Sequence, residues 1–236
     1  MFLKFKLSNF VSILEEQEVS FTTYSYSKDI KHINNVACLV GANGSGKTNL
    51  LRGFLLFLGF GIKSYLPEYR SLFGIVPHFS ASDKPSTFFV EWKHGDNRYT
   101  YEVSVLNQMV LHERLRRLSE KNSYKTIFVR NKNNFRLYDI KISKQDKTRI
   151  SDRATLLSFL YEYGYIKSYQ SGMLEPFENI LSNIILSSNI NPENADMKAL
   201  NDIKERLKDN ELYMALKKEL EAVDTGIKDI VFQKTM

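Results

Sequence analysis

The chain has 236 residues, 43% of them hydrophobic and 25% charged, which excludes a disordered polymer and a membrane-spanning protein and suffices for one sizeable core. Its net charge is +6, and its single cysteine, Cys38, has no internal disulfide partner, which points to a reduced, cytoplasmic setting. The longest apolar stretch, near residues 54–60, is far too short to span a bilayer, and Lys4 and Lys6 interrupt the N-terminal pattern in a way no secretory signal does.

The first 40 residues predict strands. Phe2, Phe5 and Leu7 interleave with Lys4 and Lys6, and Val19–Tyr24 is β-branched and aromatic. Val36-Ala37-Cys38-Leu39-Val40 has the apolar run of a buried central strand. Next comes GANGSGKT, Gly41 to Thr48, the pattern G-x-x-x-x-G-K-[ST]. Glycines 41, 44 and 46 let the backbone curl and approach a ligand closely, so that its amides cradle phosphate oxygens. Lys47 supplies a point charge, and Thr48 offers a hydroxyl to Mg²⁺, which prefers hard oxygen ligands. Residues Gly41, Ala42, Asn43, Gly44, Ser45, Gly46, Lys47, Thr48 and Asn49 are therefore the candidate site for ATP, with Thr48 on the metal. Leu50, Leu51, Phe54, Leu55 and Leu58 continue as one broad helical face, and Gly59 and Gly61 read as its stop.

Residues 62–85 hold Pro67, Pro77 and Pro85 and read as a long connection. An antiparallel meander follows. Thr87–Trp92 and Tyr99–Val105 flank the turn His94-Gly95-Asp96-Asn97, Met109–Leu118 gives a third strand, and Tyr124–Arg130 with Phe135–Ile142 form a second hairpin. From His112 to Arg153 there are 13 Lys or Arg against 5 Asp or Glu, so this segment carries +8 and the rest of the chain −2. It reads first as a solvated sheet face, since no nucleic-acid-binding motif accompanies it, and second as a footprint for nucleic acid. Histidines 32, 78, 94 and 112 lack ligand spacing.

From Ser151 the period turns helical. Ser151 or Asp152 caps a helix carrying Leu156, Leu157, Leu160 and Tyr161 that ends near Gly164. Pro176 opens another with Phe177, Ile180, Leu181, Ile184 and Ile185. A last helical stretch carries Leu200 to Leu220, Asp224-Thr225-Gly226 ends it, and Ile227–Phe232 starts a further strand.

A phosphate-loop hydrolase also needs an acid to hold Mg²⁺ and a carboxylate to orient water. Glu91, after Phe88-Phe89-Val90, and Asp139, after Phe135–Tyr138, are the nearest candidates, and each sits in a hairpin strand. The five Leu-Ser pairs lack a following glycine, so no serine-glycine signature closes a second nucleotide face. On its own residues the chain binds nucleotide without a recognisable means of completing hydrolysis.

Leu7-Ser8-Asn9-Phe10 ahead of GANGSGKTNLL resembles the opening of ABC-type ATPases of the RecF/SMC/OLD group, and most closely that of stand-alone bacterial AAA-type ATPases of abortive infection, or anti-phage defence. Val110-Leu111-His112-Glu113-Arg114-Leu115 and Asp224-Thr225-Gly226-Ile227 fall in matching order. The resemblance implies an α/β phosphate-loop NTPase fold. A mixed sheet carries the loop, an antiparallel meander packs beside it, and a helical lobe follows. The divisions are 1–85, 86–150, 151–226 and 227–236. It implies ATP and Mg²⁺, a homodimer or higher oligomer, an effector protein, and a C-terminal half that supplies the signature, the magnesium acid, the catalytic glutamate and a switch histidine. Related chains often carry arginine where this one has Val11, and Gln108 is the best-placed residue for a γ-phosphate sensor, although a hairpin edge is its plainer role. The functions that follow are an ATPase motor or switch, a nucleotide sensor that does not hydrolyse, and, disfavoured by the meander, a small-molecule kinase.

Overall fold

The computed structural model describes residues 1–24, 30–33, 37–70, 73–118, 123–166, 172–183, 214 and 218. The chain divides into two units, Met1–Ser182 and Asn183–Met236, and the elements below belong to the first, apart from the final residue of the last helix. The expected helix over residues 200–220, the Asp224-Thr225-Gly226 stop and the strand at 227–232 lie outside the described residues, apart from Met214 and Lys218.

One seven-stranded sheet dominates. Its order is β2 (Gln17–Ser20), β1 (Phe2–Ser8), β5 (Ser86–His94), β6 (Asn97–Leu106), β7 (Met109–Leu118), β8 (Tyr124–Asn131) and β9 (Asn134–Leu137). Every pair in it is antiparallel. β3 (Thr22–Tyr24) and β4 (Ile30–Ile33) form a separate hairpin. The mixed sheet with a meander beside it is thus corrected among the described residues. β1 inserts directly against β5, so the N-terminal strands and the meander share one ladder. The physical reason is the alternation in both: Phe5 and Leu7 face the same side as Phe88 and Val90, and all four are buried. Val19–Tyr24 divides at Phe21 between two sheets, and the last hairpin strand stops at Leu137.

Helix α1 (Lys47–Lys63) lies on the apolar face of the sheet. It runs through both glycines expected to end it. A side chain at Gly59 would meet the Phe73 ring at 2.7 Å and one at Gly61 would meet Tyr101 at 3.2 Å, so these glycines permit close packing rather than a stop. Gly53 does the same against β1, where a Cβ would meet Leu7 Cδ2 at 2.6 Å. The Phe57 ring stacks between Phe88 (5.2 Å) and Tyr101 (5.4 Å), and Phe54 tilts on Phe5 (4.9 Å). Each such pair adds about 1 kcal/mol beyond area burial.

The opposite sheet face is polar and its charges pair across strands. Lys6 bonds Glu16, Lys4 pairs with Glu18, Arg98 bonds Glu91, Arg114 forms an ion pair with Glu102, and Arg116 lies over the Tyr124 ring at 4.7 Å. Of the β7 cations, Arg114 meets a carboxylate, Glu102 of β6. His112 is held 3.2 Å from Glu102, and that bond raises its pKa. Burial works to raise the Glu102 carboxyl, but His112 and Arg114 hold it below the usual carboxylate range.

Short helices complete the unit: α2 (Pro67–Arg70), α3 (Lys144–Lys147), α4 (Leu156–Glu162) and α5 (Glu175–Asn183). The α4 cap is Thr155, corrected from Ser151 or Asp152. Thr155 Oγ1 accepts from Ser158 N (3.0 Å) and donates toward the carbonyl of Gly61 (3.0 Å), tying α4 to the end of α1. Glu113 reaches the same helix end from β7. Its oxygens accept from Leu156 N (2.7 Å), Leu157 N (2.8 Å) and Tyr101 Oη (2.9 Å), with Arg130 at 3.9 Å. A buried carboxylate at a helix N-terminus satisfies otherwise orphaned amides and favours the helix dipole. Burial raises the Glu113 pKa, with Arg130 and the two amides opposing.

Glu113→Ala leaves two amides, a phenol and a guanidinium without their buried partner, and lowers unfolding stability by about 3 kcal/mol in a urea titration. Because the folded carboxyl holds its proton to higher pH than the unfolded one, the Glu113 contribution declines as pH rises above the ordinary carboxylate range. Glu113→Gln removes that slope; an unchanged slope in the Gln variant assigns it to other groups.

Candidate functional site

α1 begins at Lys47, immediately after the glycine-rich loop. Gly46 occupies the N-cap with φ 88°, and Gly44 has φ 79°. Both angles are in the left-handed region, which costs a side-chain-bearing residue about 1–2 kcal/mol. Ser45 N bonds Ala42 O at 3.2 Å, and a Cβ on Gly41 would come within 3.1 Å of Ser45 Oγ, inside the curl itself. The loop is a cradle that an added carbon would fill, so glycine here fits a ligand held by backbone amides. No acid occupies the first turn of α1, leaving the helix's positive end uncompensated by its own side chains.

Lys47 Nζ donates to the carbonyls of Gly41 and Ala42, both at 2.7 Å, and lies 3.4 Å from Ser45 Oγ. The ammonium is folded over the loop it serves. Ala42, Asn43 and Thr48 are exposed, and Thr48 stands in the first turn of α1. Asn49 Nδ2 donates to Ser12 Oγ at 2.8 Å.

That bond brings in a segment absent from the sequence-based candidates. After β1 the chain turns tightly: Phe10 N bonds Ile13 O and Ile13 N bonds Phe10 O, each at 2.8 Å. Asn9 pins this turn to residues 78–86. Its Nδ2 donates to the carbonyls of Ala81 (2.9 Å) and Lys84 (2.8 Å), and its Oδ1 accepts from His78 N (2.9 Å). Val11 has φ 50°, an unfavourable angle for a β-branched residue, and its amide bonds Val76 O at 2.9 Å. The turn and the loop enclose a cleft of about 330 Å³ lined by Ser12, Ile13, Leu14, Gln17, Leu39, Val40, Ser45, Gly46, Lys47 and Leu50. A larger cavity of about 810 Å³, walled by Phe2, Phe21, Phe54 and Ile180, contains no loop residue. The smaller cleft is the candidate site, because it alone of the two holds Lys47.

Several expectations change here. Residues 37–40 are not a buried central strand: they belong to no described ladder, Cys38 is exposed, and Val40 is 87% exposed. A run of aliphatics reads as buried only if a sheet covers it, and the described sheet is built from other strands. Glu91 does not approach the loop. Register places it beside Lys4 on the polar sheet face, opposite α1, where Arg98 holds it. Asp139 is paired with Lys125 at 2.9 Å. Gln108 sits in the β6–β7 turn at φ 61° and brackets Ile75, accepting from its amide (3.4 Å) and donating to its carbonyl (3.0 Å), the role of a hairpin edge. No acid lines the cleft among the described residues.

Fold and site together define the class. The chain matches the family model described as "AAA domain" over residues 4–231 and belongs to that family, one of nucleotide-binding ATPases. No curated protein matches it. No helix of the described residues is long and apolar enough to cross a membrane.

Gly46→Ala forces a side chain into the left-handed angle beside Ser12 and Ile13. It lowers stability by about 1–2 kcal/mol in thermal unfolding, or shifts the loop and so weakens phosphate binding. Unchanged stability together with unchanged phosphate affinity contradicts the cradle geometry.

Proposed function

We propose that the chain is the phosphate-loop part of a Mg²⁺-dependent ATPase of ABC-like architecture that acts as a motor or switch. The observation that supports this most is Lys47 folded over a glycine curl at the start of a helix that is itself clamped to a sheet. Amides of residues 44–48 would hold the phosphates, Lys47 would exchange its carbonyl partners for phosphate oxygens, and Thr48 would be the loop's ligand to Mg²⁺. Bound Mg²⁺ neutralises charge that develops on the phosphates.

The cleft offers no acid, so the metal carboxylate and the group that orients water come from residues beyond those lining it. A second protomer is the reading we favour, in keeping with the oligomers common among AAA ATPases. An effector protein and a DNA-linked or anti-phage setting rest on the resemblance of Leu7–Phe10 and Gly41–Leu51 alone. The same lack of an acid also favours a second reading, a sensor that binds ATP without turnover. The paired arginines of the sheet face give nucleic-acid binding no support.

ATP binding and turnover measured across a wide range of protein concentration, with Lys47→Ala alongside, test this. Loss of a charge-assisted phosphate contact weakens ATP binding about 10- to 100-fold. Specific activity that rises with concentration and vanishes in the variant supports a site completed between chains. Lys47-dependent binding without turnover supports the sensor. ATP bound equally well by Lys47→Ala contradicts both.

A further inference from the structure

We infer that the turn of residues 9–14 is a relay: a phosphate ligand on the loop reinforces the turn's strained conformation and thereby tightens residues 76–81, to which the turn is bonded. The inference rests on the phosphate-loop reading above and adds a response to it.

Among the described residues, five other than glycine have a positive φ, and Val11 (50°) is the only β-branched one of them. Asn9 (51°) tolerates that region because a short polar side chain bonds locally, whereas a valine there crowds its own backbone. Such an arrangement persists only while its surroundings hold it. Phe10 and Ile13 close the turn through two backbone bonds of 2.8 Å. On one flank the Val11 amide donates to Val76 O at 2.9 Å, while Asn9 accepts from His78 N at 2.9 Å and donates to Ala81 O at 2.9 Å. On the other flank Ser12 accepts from Asn49 Nδ2 at 2.8 Å. Gly46 lies so near that a Cβ on it would stand 3.6 Å from Ser12 Oγ and 3.7 Å from Ile13 Cγ1.

The two flanks differ in what secures them. Residues 76–81 hold no regular element beyond a three-residue stretch of 3-10 helix, Phe79–Ala81, and depend on the bonds from Asn9 and Val11. The loop flank is the one a ligand changes. Phosphate oxygens on the amides of residues 44–48 would order the first turn of α1, and with it the Asn49 that holds Ser12. Support added on that side passes through the turn to the other. Coupling of this sort needs an element with two arrangements that both sites bias. Val11 supplies it: strained and bonded to Val76, or relaxed to an extended angle with that bond broken. The relay ends at the surface, where Val76 is 57% and Phe79 87% exposed, so the ligand alters how firmly an apolar patch is presented.

Hydrogen exchange on the full chain, free and saturated with Mg²⁺-ADP, tests this, with Val11→Gly and Lys47→Ala alongside and binding followed by calorimetry. Val11 is exposed and glycine accepts its angle, so the glycine variant keeps the fold. The expected result is that Mg²⁺-ADP slows exchange at the His78 and Ala81 amides about tenfold in the unsubstituted chain. In Val11→Gly the turn needs no added support, so both amides are already slow without ligand and ADP changes them by less than about twofold. Lys47-dependent ADP binding that leaves exchange at His78 and Ala81 as it was overturns the relay and leaves the phosphate-loop reading standing. A tenfold effect that survives in Val11→Gly, as general stabilisation by a ligand would give, overturns it as well. Absent ADP binding, or binding indifferent to Lys47→Ala, removes the phosphate-loop reading and the relay together.

Discussion

Helix α1 can present its N-terminus as a binding element because it packs tightly on the sheet. Gly53 and Gly61 give up their side chains at the contact, Gly59 does so against Phe73, and Phe54 and Phe57 place rings on β1, β5 and β6. A helix held by such flat, well-matched surfaces has little freedom to slide or rotate. The glycine curl at its start inherits that fixed position, and so does the turn after β1, which is bonded to Asn49. The cleft is the place where these two internal segments meet.

The far end of α1 is secured by different physics. There the contacts are polar and buried. Thr155 joins the last turn of α1 to the first of α4, and Glu113 joins that first turn to β7. Arg130, 1% exposed, donates to the carbonyls of Ala154, Ser151 and Lys132 and lies near Glu113. Apolar packing fixes where α1 lies, and this network fixes how the helices after the meander attach to it. A buried network of this kind contributes specificity of arrangement when every member has a partner, and is costly when one is removed.

Much of this was legible in the chain itself, and the rest fails for identifiable reasons. The phosphate loop is eight contiguous residues with one physical job, and local chemistry is what a sequence displays. The hairpins around Gly95 and Asn133 were legible because alternation and turn residues are also local. Gly59 and Gly61 misled because a glycine that ends a helix and a glycine that lets a helix approach Phe73 or Tyr101 look the same without the partner. Residues 37–40 misled because aliphatic content signals burial only when a neighbouring strand supplies it. The capping role of Glu113, 43 residues before Leu156, and the meeting of Ser12 with Asn49, 37 residues apart, are long-range pairings that no spacing rule reports.

Function in this chain depends most on Gly44–Thr48 being a preformed phosphate cradle on a rigid helix. Backbone amide resonances followed during addition of Mg²⁺-ADP test it directly. Large shifts are expected at Gly44, Gly46, Lys47 and Thr48, smaller ones at Ser12 and Asn49, and none at Ser64, Leu156 or Leu157, where the far end of α1 is bonded. Shifts absent from the loop, or spread evenly along α1 to those distant amides, would contradict it.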